Sequence, residues 1–233
     1  MTETPGIPGA TGPSNASRDV FEVIWTTRAM RRLDPNRDVP ESELIILLAA
    51  ASKAPSGGNS QPVRWIVVRD LEVRSRLGEV YRKAARAGLT MYEERAKTEP
   101  AVARMLASAL YLADHLGDAP AVLIPCAPSK LMLAGAAVYP AIQNLMLAAR
   151  ARGLGATLTT MHRSDESTVK EILGVPADVE TYAFIPIGYP TGKFGEAPRL
   201  PLGETTYWDR WGKTRTDLTA PPWSDLQQED LSN

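Results

Sequence analysis

The segment from Tyr139 to Arg152, Y-P-A-I-Q-N-L-M-L-A-A-R-A-R, constrains this chain more than any other. It has helical length and is apolar on nearly every face. A helix of that kind must be buried all round, either at the centre of the fold or in an interface between subunits. It does not read as a membrane span. The longest apolar stretch, Leu131 to Ala149, is interrupted by Pro140, Gln143 and Asn144 and ends at Arg150, whereas a bilayer asks for about 20 mostly apolar residues. Pro140 belongs in the first turn of this helix or at a kink.

Around this helix, short apolar runs alternate with longer helical patterns. Val20, Ile24 and Trp25 set a short helix within Asp19 to Arg28, followed by the basic turn Arg31-Arg32-Leu33-Asp34-Pro35. Ser42 is a cap candidate for a second helix carrying Leu44, Leu47, Leu48 and Ala51 and stopped by Pro55. The loop Ser56 to Pro62 has two glycines that let backbone approach a ligand, and Trp65 to Val68 is a buried strand. From Leu71 to Leu116 the pattern is helical, charged and broken by Gly88 and Pro100, which suggests a pair of helices forming a cover. Further strands are expected at Ala121–Cys126, Ala156–Met161 and Tyr182–Ile187, with a surface helix at Asp165–Leu173 closed by Gly174. With no linker and no internal repeat, this is one α+β layered domain.

The two ends read differently. Residues 1–17, rich in Thr, Pro, Gly, Ser and Ala, form a disordered arm without the basic and apolar regions of a signal peptide. The domain proper runs over residues 18–206, with residues 81–116 as its helical lid region. From Tyr207 a C-terminal arm carries Trp208, Trp211 and Trp223, and such side chains gain by packing across a surface, including that of another subunit.

Composition excludes whole classes of chemistry. Lys+Arg 26 against Asp+Glu 27 leaves a net charge of -1, so no global field draws the chain to nucleic acid or an anionic membrane. One cysteine, Cys126, rules out an internal disulfide framework and points to a reducing compartment, the cytoplasm. Two histidines, His115 and His162, argue against a metal site or a catalytic triad. His115 fits a helix C-terminus, Cys126 a small hydrophobe on a strand, and His162 a structural position near a strand end. Gly188 to Lys193, G-Y-P-T-G-K, is one residue short of a Walker A loop and lacks its Ser or Thr. Gly153-Leu154-Gly155 follows a helix and has Leu158 where a dinucleotide fingerprint needs glycine. No G-x-S-x-G elbow occurs.

What remains is a set of arginines and small polar residues: Arg28, Arg31, Arg32 and Arg199, the loop Ser56-Gly57-Gly58-Asn59, and Thr159-Thr160. Guanidinium groups hold phosphate bidentately, small loop residues admit a flat ring system, and hydroxyls address its polar edge. The set points to a phosphate-bearing cofactor.

In these same segments the sequence resembles the nitroreductase family of FMN-dependent flavoproteins. The resemblance lies in T-T-R-A-M-R-R-L-D-P (Thr26 to Pro35), A-P-S-G-G-N-S-Q-P (Ala54 to Pro62), Y-P-A-I-Q-N-L-M-L-A-A-R-A-R-G-L-G-A (Tyr139 to Ala156), I-P-I-G-Y-P (Ile185 to Pro190) and R-L-P-L (Arg199 to Leu202). It implies an α+β fold with a mixed central sheet, and an intertwined homodimer with FMN at the subunit interface. It assigns the FMN phosphate to Arg28 and Arg199, and the ribityl chain or the N1/O2 edge to Arg31 or Arg32. The partner subunit would contribute Ser56, Gly57, Gly58 and Asn59, and Thr159, Thr160 and Met161 would lie near flavin N5. The flavin then carries the hydride, which accounts for the missing His and Cys. NADPH or NADH would reduce it, and a nitroaromatic or quinone would take the electrons in a ping-pong cycle. Thr27 and Ala29 stand where the family has arginine and serine. Ala29 also disfavours the dimethylbenzimidazole-forming branch, which has aspartate there. Two alternatives stay open: a deiodinase-like enzyme gripping an amino acid with Tyr92, Glu93, Glu94 and Lys97, and a module that sequesters flavin without turnover. Lys83, Arg86, Arg95 and Lys97 are candidates for a nicotinamide 2′-phosphate, or else a solvated face.

Overall fold

A computed structural model of the chain describes residues 16–17, 19–131 and 133–215. The first fifteen residues of the expected N-terminal arm and the C-terminal stretch with Trp223 lie outside them. Eight helices occur among the described residues: α1 (Val20–Thr26), α2 (Glu41–Ala51), α3 (Leu71–Leu89), α4 (Glu93–Ala96), α5 (Pro100–His115), α6 (Ala134–Ala151), α7 (Glu166–Leu173) and α8 (Leu202–Thr205). The strands are β1 (Arg64–Val68), β2 (Ala121–Pro128), β3 (Gly155–Ala156), β4 (Val179–Thr181) and β5 (Ile185–Gly188). Local chemistry sets several ends. The Asp19 and Asp70 carboxylates accept from the backbone N–H of Glu22 and Val73 at 2.7 and 2.9 Å, capping α1 and α3. Gly174, at φ 65°, closes α7 in the left-handed region. Helix α2 begins behind Pro40, so Ser42 lies within it and is not its cap.

The sheet order is β1-β2-β5-β3, with β4 also paired to β2. All pairings among the described residues are antiparallel, where the resemblance implied a mixed sheet. Two long helices, α3 and α5, stand between β1 and β2. The chain therefore goes out and back before pairing, which suits antiparallel neighbours. Side chains of β2 alternate between two cores. Ala121, Leu123 and Ala127 join Leu44 and Leu47 of α2 and Val138, Ile142 and Leu145 of α6. Val122, Ile124 and Cys126 join Leu77, Tyr81 and Ala85 of α3, Leu106 and Leu112 of α5, and Val169 of α7. Burying each large aliphatic side chain contributes about 1.5–3 kcal/mol. The segment expected to form a cover is thus a full layer of the fold, because Leu77, Tyr81, Ala85 and Leu89 make α3 a core helix.

Three further expectations change. The strand expected over Ala156–Met161 stops at Ala156, and Thr159 makes an isolated bridge to Phe184. The register that pairs Ala156 with Ile187 also pairs Thr159 with Phe184 and puts Thr157 opposite Pro186. With no N–H, Pro186 cannot complete that rung. The strand expected over Tyr182–Ile187 begins only at Ile185, as β5, and a further short strand, β4, precedes Tyr182. Three steps along β2, from Cys126 to Leu123, face four from Thr181 to Ile185, a one-residue bulge. Helix α6 begins five residues earlier than expected, at Ala134, which puts Pro140 in its interior and not in its first turn. It lies against the sheet, yet Ala136, Tyr139 and Gln143 remain exposed, so one chain does not bury it all round.

Candidate active site

The arginine-bearing segment is held on the sheet edge. Met30 N–H donates to the Ala156 carbonyl at 2.9 Å, Asp34 N–H to Tyr189 at 2.8 Å, and Thr191 N–H to Arg32 at 3.1 Å. Leu33 bridges Pro190, and Met30 and Leu33 are buried with Ala119. Met30 and Leu33 are thus anchored inward, with a half-buried Arg31 and an exposed Arg32 between them and an exposed Arg28 before them.

The arginine side chains diverge. The Arg31 guanidinium approaches Ser108 Oγ of α5 at 3.5 Å. Burial lowers its pKa, the nearby Tyr81 raises it, and the like charge of Arg28 lowers it again. Arg32 stacks over the Tyr111 ring of α5, 3.9 Å from its centroid. Of the two candidates, Arg31 therefore shares its surroundings with Arg28 and Tyr81, whereas Arg32 is engaged on Tyr111. Among the described residues, neither Arg28 nor Arg31 forms an ion pair with a carboxylate. Two guanidiniums near enough to influence each other, neither paired with a carboxylate, are a candidate donor set for an anion.

Tyr81 joins this group to the chain beyond β3. Its hydroxyl lies 2.9 Å from Thr159 Oγ1, and its ring is 3% exposed. Burial, opposed by the Thr159 hydrogen bond and by Arg31, raises its pKa, so it stays a neutral phenol. Gly88 leaves room for Met161: a Cβ there would stand 3.3 Å from the Met161 sulfur. Arg31, Thr159 and Met161 are thus gathered near α3, and Tyr81 is the participant that sequence reading missed. Its signal was a lone polar aromatic on the stripe Leu77, Tyr81, Ala85, Leu89. Ala29 and Thr160 lie exposed in the same two segments.

The loop Ser56–Asn59 stands apart. It borders a cleft of about 150 Å³ with Ala51, Pro55, Gln61, Trp65 and Ala137, on the side of α2 and α6. Gly57, Gly58 and Asn59 are exposed, and a Cβ on either glycine would meet nothing within 4 Å. Gly58, Asn59 and Gln61 have φ of 57, 53 and 46°, and Gln61 N–H donates to Ser56 Oγ at 3.0 Å. Two of these are not glycine, so the loop is strained and held open to the outside. Arg199 is exposed, its Nη1 donating to the Pro198 carbonyl at 3.0 Å.

The other candidates resolve into structure. His162 is fully buried, stacked on Phe184 at 4.1 Å, with Nε2 3.1 Å from Thr181 Oγ1. The Thr181 hydroxyl also contacts Glu166 Oε1 at 3.0 Å. A carboxylate only accepts, so Thr181 donates to Glu166 and His162 Nε2–H donates to Thr181. Nδ1 is then a lone pair with no partner, and burial pushes the pKa down to about 4. Burial pushes the Cys126 thiol up to about 11. His115 ends α5, with Nδ1 2.7 Å from Asp118. Of the candidate nicotinamide cations, Arg86 is bidentate to Asp114, Arg95 to Glu99, and Lys97 pairs with Glu94.

The sequence profile of the nitroreductase family matches residues 24–189. The chain belongs to that family. Membership makes the protein a flavoprotein oxidoreductase. It is 31% identical over 194 residues to a 5,6-dimethylbenzimidazole synthase of Rhodospirillum rubrum, covering 77% of this chain and 87% of that one. It is 30% identical over 230 residues to an NADH dehydrogenase of Thermus thermophilus, covering 82% and 96%. A crystal structure of oxidized iodotyrosine deiodinase bound to FMN and 3-iodo-L-tyrosine superposes with a TM-score of 0.64 at 24% identity, over 83% of this chain and 98% of that one. Among the described residues, no helix is long and apolar enough to cross a membrane.

Proposed function

We propose that the protein is an FMN-dependent NAD(P)H oxidoreductase that reduces nitroaromatic or quinone-like acceptors by two-electron hydride transfer, working as a homodimer. The observation that carries this reading is Arg31, a half-buried guanidinium without a carboxylate partner, close enough to feel the charge of Arg28 and the Tyr81 that holds Thr159. The donor set fits FMN. Arg28, with Arg199, would hold the phosphate, and Arg31 would lie along the ribityl chain or the N1/O2 edge. The flavin, when bound, accepts hydride from the nicotinamide and passes it on.

Each protein group then has a defined task. Arg31 would present a fixed cation at the N1/O2 edge, and its partial burial would strengthen that effect. Tyr81 fixes the Thr159 hydroxyl, which with Thr160 and Met161 would border the N5 side. The loop Ser56–Asn59 points outward on the other side of the molecule and would complete the site of a partner chain. The exposed faces of α1 (Phe21, Ile24) and α6 (Tyr139) are apolar surfaces for that partner. A deiodinase-like reading shares the fold of the deiodinase relative, but its grip is disfavoured by the pairing of Lys97 with Glu94 and the packing of Tyr92 into the second core.

Anaerobic mixing of the yellow protein with NADPH or NADH tests this reading. Rapid bleaching, followed by reoxidation with a nitroaromatic or quinone, is the expected outcome. Flavin that stays oxidised with both nicotinamides would favour sequestration, and a protein that takes up no FMN would sink both. Arg199→Ala should release FMN on dilution; unchanged flavin content would remove Arg199 from the site.

A further inference from the structure

Among the described residues, Arg150 is the one lysine, arginine, aspartate or glutamate that is buried, at 5% exposure. It lies at the end of α6, and sequence reading took it merely as the end of an apolar run. Its Nε donates to Thr26 Oγ1 at 2.8 Å and its Nη2 to Glu22 Oε1 at 3.0 Å, both on α1. Thr26 donates its own hydroxyl proton to the Glu22 carbonyl at 2.7 Å, leaving a lone pair for the guanidinium. The plane of the guanidinium faces the Phe194 ring, 4.4 Å from its centroid. Phe194 in turn packs against Met30 and Leu33.

These contacts reach both cation-bearing segments. Thr26 lies two residues before Arg28, Met30 two after it, and Phe194 stands on the loop leading to Arg199. Helix α6 is fixed by the core through Ile142, Leu145 and Ala149, whereas α1 is short and buries only Val23. A charge taken out of water for packing alone would be better replaced by an apolar side chain. A planar group with several donors can grip two acceptors and a ring face at once, which lysine cannot.

We propose that Arg150 is a positioning residue for the cofactor phosphate: from α6 it holds α1 and the Phe194 loop in the arrangement that lets Arg28 and Arg199 close on one anion. This rests on the FMN reading above. Its signature is selective. Loosening the clamp weakens FMN, which has the phosphate, and leaves riboflavin, which lacks it, unaffected.

The test is titration of the full-length apoprotein with FMN and with riboflavin, following flavin fluorescence, in wild type, Arg150→Met and Thr26→Val, with a thermal melt for each. In both variants the FMN dissociation constant should rise about tenfold while that for riboflavin holds. Thr26→Val keeps α6 intact and decides the matter if Arg150→Met does not fold. Equal weakening of both flavins would reduce Arg150 to a general structural role, and no change in either would remove it. Wild-type protein that binds neither flavin would overturn the FMN reading itself, a result distinct from wild type that binds FMN beside variants that keep its selectivity.

Discussion

Two sets of arginines have opposite surroundings. On α3–α5, Arg86 and Arg95 each meet a carboxylate in a two-pronged contact and stand in solvent. On the sheet edge, Arg28 and Arg31 have no such partner, and burial together with the like charge of Arg28 lowers the Arg31 pKa. The first set is satisfied within the chain. The second has no carboxylate partner among the described residues, so near-neutral net charge says little about where charge can act.

The contrast can be broken by substitution. The largest effect is expected from Arg31→Gln, which should slow flavin reduction by the nicotinamide about a hundredfold, measured by anaerobic stopped flow. An unchanged rate would make the two sets equivalent. Next comes a group whose burial leaves it without charge. His162 has its folded pKa near 4, below the ordinary 6.5, so the unfolded chain binds more protons between those values. Stability should therefore fall as pH drops through that window, by an amount on the order of 3 kcal/mol. Urea titrations at pH 7 and pH 4.5 should show the loss, and His162→Phe should flatten it. A slope that survives His162→Phe assigns it to other groups.

Smaller effects sharpen the same comparison. Thr159→Val leaves the buried Tyr81 hydroxyl without its partner and should destabilise by about 1–3 kcal/mol, read from a thermal melt; Tyr81→Phe in the same background should recover part of it. Arg86→Ala should cost less than about 1 kcal/mol and leave the preference for FMN over riboflavin intact. A loss of that preference would bring the outer arginines into the site.

The legible parts were those with strong periodicity or charge. The apolar stretch of α6, the short helix α1 and the stop at Gly174 follow from local pattern. The early start of α6 was hidden because Ala134-Gly135-Ala136-Ala137 has little hydrophobic contrast. The end of β3 depends on Pro186, a residue thirty positions away that withholds one N–H. Arg150 and Tyr81 were overlooked for a shared reason: each is a polar group on an otherwise apolar face, and its partner lies on a distant segment. Such pairs are visible only once the faces meet.

Strand β2 has a consequence for how the chain is made. It pairs with β1, β4 and β5, so Leu123 faces both Val67 and Ile185, and Cys126 both Arg64 and Thr181. No tight hairpin joins it to any of them, and β1 leaves the ribosome long before either of its later neighbours exists. The sheet cannot nucleate locally, and loop closure must precede its reward. The expected order of assembly is the α3–α5 hairpin first, then β1 with β2, then β5, with β3 and the arginine segment last. The site is thus the final part of the molecule to form, and a translation pause before Ile185 would leave the central strand half-paired.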